Sequence, residues 1–323
     1  MSTRLFALSA AALATALAFS AAAQEITLKA ASAFDRGTNQ SSTFERFIEK
    51  TNADSKSVIQ LNYLGGGGSL MNPFELGSAI SKGVVEIGVL PGAFYTTLMP
   101  EADALKMVTA PMKEVRRAHD KFDFFNELHA KKVNSYWLGR TSELVPFHLY
   151  LTKKIDKMDL TGLRIRVTPI YRPFFTALGA NVVQTAPGEV YTALERGVVD
   201  GYGWPTQGVF DAGWQRVTKY RVDPGFYNSA SEILVNLDVW KKLTLAQEQA
   251  LEKARDWVED VINPQMIANS AVETNRQAEA GIQTIEFKGD DAQKYLKLAN
   301  DSAWEAIVKA NPENGPKLRE LFQ

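Results

Sequence analysis

The segment Gly-Leu-Arg-Ile-Arg-Val-Thr-Pro, residues 162–169, predicts a short strand with a sharply defined end. Arg164 and Arg166 are two residues apart, so on a strand their side chains share a face. Pro169 interrupts a strand ladder, which places Arg166 at the carboxyl end of the strand. A guanidinium fixed there can bind a carboxylate through two parallel hydrogen bonds, whereas Arg164 is interpreted as a surface ion-pair residue.

Strand and helix patterns alternate on both sides of this segment. The predicted strands are 26–31, 58–63, 84–90, 147–152, 163–167, 182–183 and 198–205, and the predicted helices between them are 41–52, 73–82, 171–178 and 187–196. Such alternation is typical of an open, mainly parallel α/β sheet. Ligands of these sheets bind outside the carboxyl ends of the strands, so residues just past those ends become site candidates.

The length and composition favour a two-lobed protein without metal or nucleic-acid chemistry. A chain of 323 residues exceeds what one hydrophobic core usually serves. It has 36 Lys and Arg against 37 Asp and Glu without basic blocks, which argues against binding to nucleic acid or to an anionic membrane surface. Because the chain contains no Cys and only three His, we predict neither a metal nor another cofactor.

The first 23 residues predict a signal peptide, with a positive start at 1–4, an apolar stretch at 5–20 and small residues at 21–23. A transmembrane anchor is the alternative, but the apolar stretch is short and diluted with Ala and Ser. Cleavage after Ala23 leaves 300 residues with a net charge of −2, since Arg4 is the only charged residue removed. No later stretch is long and apolar enough to span a bilayer, so we expect a periplasmic protein that is not inserted in the membrane.

Two other segments are unusual. Residues 245–279 form a helical pattern much longer than the average helix, and it begins with a capping box at 244–247. We expect this helix to bend at Pro264 and to run across both lobes, which leaves open whether the protein is a monomer or a dimer. The glycine run at 65–68 is not followed by Gly-Lys-Ser/Thr, so we interpret it as a flexible loop rather than a phosphate loop.

Four motifs occur in order along the chain. They are Gly-Leu-Arg-Ile-Arg-Val at 162–167, Ala-Leu-Gly-Ala-Asn at 177–181, Gly-Glu-Val-Tyr-Thr-Ala-Leu at 188–194 and Gly-Val-Val-Asp-Gly at 197–201. With these motifs the chain resembles the DctP-type solute-binding proteins of TRAP transporters, the tripartite ATP-independent periplasmic transporters. The resemblance implies a two-lobe periplasmic-binding-protein fold of the α/β class, with mixed, mainly parallel sheets, hinge segments and a long helix spanning both lobes.

The resemblance also implies roles for individual residues. Arg166 matches the family's arginine that forms a salt bridge with the ligand carboxylate, and Trp204 stands at a position that is Trp in some keto-acid-binding members. Sialic-acid-binding members have a second arginine near 147–148, which is absent here, although His148 stands where the family presents a polar ligand contact. Members that hold a metal have Glu directly before the Trp, whereas this chain has Gly203, so no metal is expected.

The predicted lobes are 24–146 plus 231–270 for lobe I and 147–230 plus 271–323 for lobe II. Residues near predicted strand ends complete the predicted cleft. The candidates are Phe34, Tyr95, Asn39, Tyr171, Phe210 and Tyr227, and the strongest of them are Phe34 and Tyr95. Packing in the core is an equally good interpretation of an aromatic residue at a strand end. Glu189, at the start of a predicted helix, is interpreted as a structural residue that complements the helix dipole.

Together these features predict a periplasmic binding protein, not an enzyme, that closes two lobes on an organic monocarboxylate. A small hydroxy, keto or aromatic acid is favoured, because an indole at position 204 offers an apolar wall with a single donor. The expected partners are this ligand and the small and large membrane subunits of a TRAP permease. Two alternatives stay open: a secreted hydrolase that uses carboxylates, although no motif supports it, and a binding protein that feeds a signalling receptor.

Overall fold

A computed structural model describes residues 25–322, so the predicted signal peptide at 1–23 lies outside the described residues. The described residues form eleven strands: β1 (Ile26–Ser32), β2 (Ile59–Gly66), β3 (Ile87–Leu90), β4 (Ser135–Thr141), β5 (Phe147–Leu151), β6 (Arg164–Val167), β7 (Asn181–Gln184), β8 (Gly201–Pro205), β9 (Tyr220–Asp223), β10 (Ser231–Asn236) and β11 (Gln283–Glu286). The α-helices are α1 (Asn39–Asp54), α2 (Leu76–Ser81), α3 (Met112–Arg117), α4 (His119–Lys132), α5 (Arg172–Ala177), α6 (Val190–Glu195), α7 (Leu237–Trp240), α8 (Leu245–Trp257), α9 (Asn263–Glu279), α10 (Gly289–Ala310) and α11 (Gly315–Phe322).

The strands form two mixed sheets, which define two lobes. The sheet of lobe I has the order β2-β1-β3-β10-β4, in which β1 is parallel to β2 and β3 whereas β10 is antiparallel to both of its neighbours. The sheet of lobe II has the order β11-β9-β5-β8-β6-β7, and β6 is parallel to β7 and β8. The predicted two-lobe α/β fold is therefore confirmed.

The chain crosses between the lobes more than once. Every strand of the first sheet lies within the ranges predicted for lobe I, and every strand of the second lies within those predicted for lobe II. The exact boundaries at residues 147, 231 and 271 stay a prediction. The C-terminus, assigned by that prediction to lobe II, contacts lobe I. Asn314 Nδ2 donates to Glu101 Oε1 at 2.8 Å, and the Phe322 ring lies 5.2 Å from that of Phe125.

Two apolar clusters stabilise this architecture. One lies beneath α1 and α8 in lobe I, with Phe44, Phe47 and Leu251 fully buried. The other is continuous through both lobes and includes Trp137 of β4 and Phe174 of α5. Each large apolar side chain that is buried contributes about 1.5–3 kcal/mol relative to exposure, so the shared cluster makes the lobe contact an integral part of the core.

The predicted long helix is present and connects the lobes. Helical backbone runs without a break through α8, a π-helical turn at Val258–Ile262 and α9. Pro264 lacks an N–H and its ring conflicts with the carbonyl four residues earlier, which explains why the wider turn immediately precedes it. Leu251 of α8 packs in lobe I, whereas Gln277 of α9 donates to the carbonyl of Thr206 in lobe II at 2.6 Å.

Candidate functional site

A cavity of about 360 Å³ lies between the two lobes. The loops after β1 and β2 form its lobe I wall, and the segments after β7 and within and after β8 form its lobe II wall. Its lining residues are Ala33, Phe34, Asp35, Thr38, Gln40, Gly67, Gly68, Ser69, Pro73, Ala186, Pro187, Gly188, Glu189, Trp204, Gly208, Asp211, Ala212 and Trp214. The parallel strands of both sheets thus direct their carboxyl ends at one cleft, as this class of sheet requires.

A smaller cavity of about 30 Å³ adjoins the first and shares Phe34, Gln40 and Trp204 with it. Its other walls include Thr168 and Tyr171 of lobe II. This annex leads toward the end of β6, where the sequence predicts the arginine that recognises a carboxylate.

Arg166 is fully buried in β6 and forms no ion pair within residues 25–322. Nη1 donates to the hydroxyl of Tyr171 at 2.8 Å, and Nη2 donates to the carbonyl of Thr185 at 2.7 Å. Burial lowers the pKa of the Arg166 guanidinium, since desolvation penalises its charge. The side chain lies behind the cavity rather than in its wall, because it lines neither cavity.

Four buried polar atoms near this arginine lack a hydrogen-bond partner among the described residues. They are Nε of Arg166, the hydroxyls of Thr168 and Thr185, and Nε1 of Trp204. Parallel pairing of Val167 with Gln184 brings the two threonines side by side just beyond β6 and β7. An unpartnered buried polar group costs about 1–3 kcal/mol, so this cluster gains stability from any ligand that satisfies it.

Aromatic rings close the apolar side of the cavity. The ring centroids of Phe34 and Trp204 are 6.4 Å apart in an edge-on arrangement, and those of Trp204 and Trp214 are 4.7 Å apart. The Arg166 guanidinium lies 5.9 Å from the Trp204 ring. The predicted residues Phe34, Trp204, Arg166 and Tyr171 therefore occupy one neighbourhood that includes both lobes.

Hydrogen bonds join the lobes beside this neighbourhood. The amide N–H of Asn39, the first residue of α1, donates to Asp211 Oδ2 at 2.6 Å, so a lobe II carboxylate caps a lobe I helix. Asn39 Nδ2 donates to Gln207 Oε1 at 3.3 Å, and Gln40 Nε2 donates to the carbonyl of Gln207 at 3.1 Å. Gln207 also donates to Ser270 Oγ at 3.0 Å, which ties the contact to α9.

Besides Arg166, five predicted residues lie outside the linings of both cavities: Asn39, which joins the lobes, and Tyr95, Tyr227, Phe210 and His148. Tyr95 is buried in lobe I, where its hydroxyl donates to His129 Nε2 at 2.9 Å. The Tyr227 hydroxyl donates to the carbonyl of Ala299 at 2.8 Å. The Phe210 ring lies 3.9 Å below the guanidinium of Arg276.

His148 has a structural environment in lobe II. Its Nδ1 lies 3.0 Å from the carbonyl of Val222 and 2.8 Å from Asp223 Oδ1. Burial opposes ionisation of Asp223, yet hydrogen bonds from His148 and Arg221 hold the pKa of its carboxyl at about 2. The imidazole thus fixes β5 to β9, and its role as a ligand contact stays a prediction.

Several lining residues have no prediction from sequence. The lining residues Gln40 and Thr168, and Thr185 beside Thr168, resemble ordinary polar residues of helices and loops, although parallel register after Arg166 places the two threonines together. The glycine run interpreted as a flexible loop contributes Gly67 and Gly68 to the cavity wall. Glu189 combines the predicted structural role, accepting from the Ala186 amide at 3.2 Å, with a place in the same wall.

Gly203 is required by close packing. A Cβ at this position would lie 2.8 Å from Cε2 of the Tyr171 ring, so a larger side chain displaces the tyrosine that bonds Arg166.

Within residues 25–322, no group of three or more His, Asp and Glu side chains is arranged to hold a metal ion. In the same residues, every helix is too short or too polar to cross a membrane.

Comparison with known proteins identifies the family. The model for DctP, bacterial extracellular solute-binding protein, family 7, matches residues 30–311. A monocarboxylate 2-oxoacid-binding periplasmic protein of Nostoc sp. is 25% identical over 170 residues, which are 51% of this chain and 45% of that protein. The chain thus matches about half of the length of this curated relative.

Solved structures share the fold. A TRAP periplasmic solute-binding protein of Desulfovibrio salexigens with bound orotic acid superposes with a TM-score of 0.81 at 17% identity, covering 92% of this chain and 97% of that one. Another, from Roseobacter denitrificans with bound L-galactonate, has a TM-score of 0.79 at 20% identity and covers 93% and 100%. Because the family model covers most of the chain, this protein belongs to the bacterial extracellular solute-binding protein family 7, the DctP type of TRAP solute-binding proteins.

Proposed function

We propose that this protein is a periplasmic receptor that captures a small organic carboxylate and delivers it to the small and large membrane subunits of a TRAP permease. The observation that carries the proposal is a fully buried Arg166 without a carboxylate partner among the described residues. A buried charge is costly unless an opposite charge accompanies it. A ligand carboxylate supplies that opposite charge.

The unpartnered atoms around Arg166 suit the remaining oxygens of an acid. Nε of Arg166 is one donor, and the hydroxyls of Thr168 and Thr185 can donate or accept. A hydroxy or keto oxygen next to the carboxylate accepts from these groups at the end of β6. The annex beside Thr168 and Tyr171 offers the approach to this position, with the Tyr171 hydroxyl as the group that a carboxylate replaces.

The body of the ligand fits the larger cavity. Phe34, Trp204 and Trp214 form apolar walls, which suit a compact keto acid or a ring better than a polyhydroxylated chain. The Nostoc relative named for monocarboxylate 2-oxoacids and the Desulfovibrio structure with orotic acid are consistent with this chemistry. We therefore favour a small hydroxy, keto or aromatic acid.

Binding follows from closure of the lobes, without covalent chemistry. Asn39 and Gln40 of lobe I meet Gln207 and Asp211 of lobe II across the cleft, so these hydrogen bonds form as the cleft closes. The acid stabilises the closed state because its contacts come from both lobes. The π-helical turn before α9 is the proposed site where the long helix adjusts during this motion.

A thermal-shift screen of organic acids, followed by calorimetry on the best binder, tests the proposal. We expect the Arg166→Ala variant to bind this acid at least about 30-fold more weakly, since removing a desolvated charge partner costs about 2–5 kcal/mol. Arg164→Gln is the matched control, because Arg164 lies on the same strand but is exposed and paired with Asp200.

Two results contradict the proposal. One is unchanged affinity of Arg166→Ala for the best acid, which removes the central role of this arginine. The other is chemical conversion of that acid during incubation with stoichiometric protein, which indicates an enzyme.

A further inference from the structure

The charged side chains that line the cavity between the lobes are all acidic. Asp35, Glu189 and Asp211 belong to the lining, and no Lys or Arg does. The guanidinium of Arg166 lies behind the cavity at the end of β6. The site therefore has a positive end at Arg166 and a negatively charged chamber, which is the part of the cavity lined by Asp35, Glu189 and Asp211.

The three carboxylates accept hydrogen bonds but form no ion pair within the described part of the chain. Asp211 accepts from the Asn39 amide at 2.6 Å and Glu189 accepts from the Ala186 amide at 3.2 Å. Asp35 Oδ1 accepts a long bond from Ser69 Oγ at 3.4 Å. Asp211 is engaged at the N-terminus of α1, which leaves Asp35 and Glu189 as the more available negative groups.

A separate feature of the same cavity points to an organic ligand. Trp204 is 6% exposed and lines the cavity, yet its Nε1–H has no partner among residues 25–322. A Cβ at the lining residue Gly208 would lie 3.0 Å from this Nε1, so the glycine keeps space open beside the donor. The lining acids belong to no metal-binding group of three or more in the described residues.

Charge decides which acids fit this arrangement. A monocarboxylate whose charge faces Arg166 places a neutral body beside the cavity carboxylates and gains no attraction from them, whereas the second carboxylate of a dianion is repelled by them. An ammonium or amidinium group in the chamber instead pairs with Asp35 and Glu189. The faces of Phe34 and Trp204 also attract a cation.

We propose that the preferred ligand is a zwitterion, with a carboxylate for Arg166 and an ammonium or amidinium group for Asp35 and Glu189. This inference rests on the proposed function, since Arg166 must bind the carboxylate end. Within the organic carboxylates of the proposed function, it selects amino acids and related amidinium-bearing acids in place of the nitrogen-free hydroxy, keto and aromatic acids that the apolar walls alone favour.

The test compares matched acids by calorimetry. The sets are proline with cyclopentanecarboxylate, pipecolate with cyclohexanecarboxylate, and γ-aminobutyrate with butyrate and succinate. In the set that binds best, we expect the amino acid to bind at least about tenfold more tightly than its partner without nitrogen, and succinate to bind more weakly than γ-aminobutyrate.

Two variants assign the effect to the chamber. Asp35→Asn and Glu189→Gln keep the hydrogen-bond acceptor but remove the charge, so each is expected to weaken the amino acid about three- to tenfold while sparing its partner without nitrogen. Glu195→Gln removes an exposed charge from α6 outside the cavity lining, and it is expected to leave all affinities unchanged.

The outcomes separate the two proposals. If acids without nitrogen bind equally or more tightly in every set, and Arg166→Ala abolishes their binding, the zwitterion inference is overturned and the proposed function stands. Equal weakening of both members of a pair by Asp35→Asn and Glu189→Gln also overturns it. If no acid binds in an Arg166-dependent manner, the proposed function fails and the inference fails with it.

Discussion

Two buried arginines, one in each lobe, occupy similar surroundings with different partners. Arg140 of β4 and Arg166 of β6 are 1% and 0% exposed, and each guanidinium lies 5.9 Å from a tryptophan ring. In addition, Nη2 of Arg140 and Nε of Arg166 have no hydrogen-bond partner among residues 25–322. Arg140, however, has the Glu232 carboxylate 3.2 Å from its Nε, whereas Arg166 bonds only neutral oxygens of Tyr171 and Thr185.

Under the proposed function, this difference is the one between a structural charge, Arg140, and a ligand-binding charge, Arg166. In lobe I, Glu232 accepts from both Arg140 and Trp137, so the chain itself supplies the counter-ion. In lobe II the chain supplies only neutral hydrogen-bond acceptors to Arg166. The Glu189 carboxylate attracts the guanidinium from a distance without forming an ion pair with it. Since desolvation of a charge without a direct counter-ion is unfavourable, we expect Arg166 to gain its carboxylate partner from a ligand, as the proposed function requires.

Arg140→Met is expected to have the largest effect on the free energy of unfolding. The substitution leaves Glu232 buried without its cation, which costs about 3–5 kcal/mol. Urea denaturation measures the loss. The matched double variant Arg140→Met/Glu232→Gln removes the stranded charge as well, and it should recover at least half of the lost stability.

No recovery in the double variant would show that packing, rather than charge pairing, makes Arg140 important. The contrast between the two arginines would then lose its electrostatic basis.

His129 gives the next largest effect and tests whether the folded protein keeps this buried imidazole of lobe I neutral. Its Nδ1–H donates to the carbonyl of Phe125 at 2.7 Å, and its Nε2 accepts from the Tyr95 hydroxyl at 2.9 Å, so the neutral imidazole is fully bonded. Burial lowers the pKa of His129 from 6.5 to about 4. Between these two pH values the unfolded chain binds the additional proton.

The free energy of unfolding should therefore fall by about 3 kcal/mol as the pH drops from 6.5 to 4. His129→Gln should flatten this dependence in urea denaturation series, whereas the exposed His119→Gln should preserve it. An unchanged slope in His129→Gln would contradict a neutral His129 imidazole in the folded protein.

Arg166→Met is expected to change the free energy of unfolding by less than about 2 kcal/mol, because relief of a buried charge offsets two lost hydrogen bonds. The same variant should lose the thermal shift that the best acid produces in the unmodified protein. Differential scanning calorimetry with and without that acid measures both effects. A loss of stability as large as that of Arg140→Met would make Arg166 a structural residue and remove the contrast.

Local sequence signals suffice for some of the site. Arg166 is predictable because Gly162 and Pro169 delimit one short strand and place the arginine at its end. Likewise, the capping box at Thr244 and the position of Pro264 predict where the long helix begins and where its geometry changes.

Other parts depend on contacts between distant residues. Tyr95 follows β3 as predicted, but its ring turns into lobe I because His129, on α4, offers an acceptor. The antiparallel insertion of β10 between β3 and β4 is equally invisible in local patterns, since it pairs residues that are at least 90 positions apart in the chain. Phe34 and Tyr95 thus receive the same prediction from strand-end position although only Phe34 lines the cavity.

Arg164→Gln should have the smallest effect, and it tests burial within one strand. Arg164 and Arg166 share a face of β6, yet the Arg164 side chain is 47% exposed and its Nε lies 3.2 Å from Asp200 Oδ2. Asp200 keeps Lys153 at 2.9 Å and the Arg164 amide at 3.0 Å after the substitution. A change below about 1 kcal/mol in urea denaturation is expected, because solvent screens the lost pair. Ligand affinity should also be unchanged, since Arg164 is exposed and paired with Asp200, whereas Arg166 is buried without a carboxylate partner among the described residues. A loss of binding in Arg164→Gln would instead show that carboxylate recognition depends on both arginines of β6.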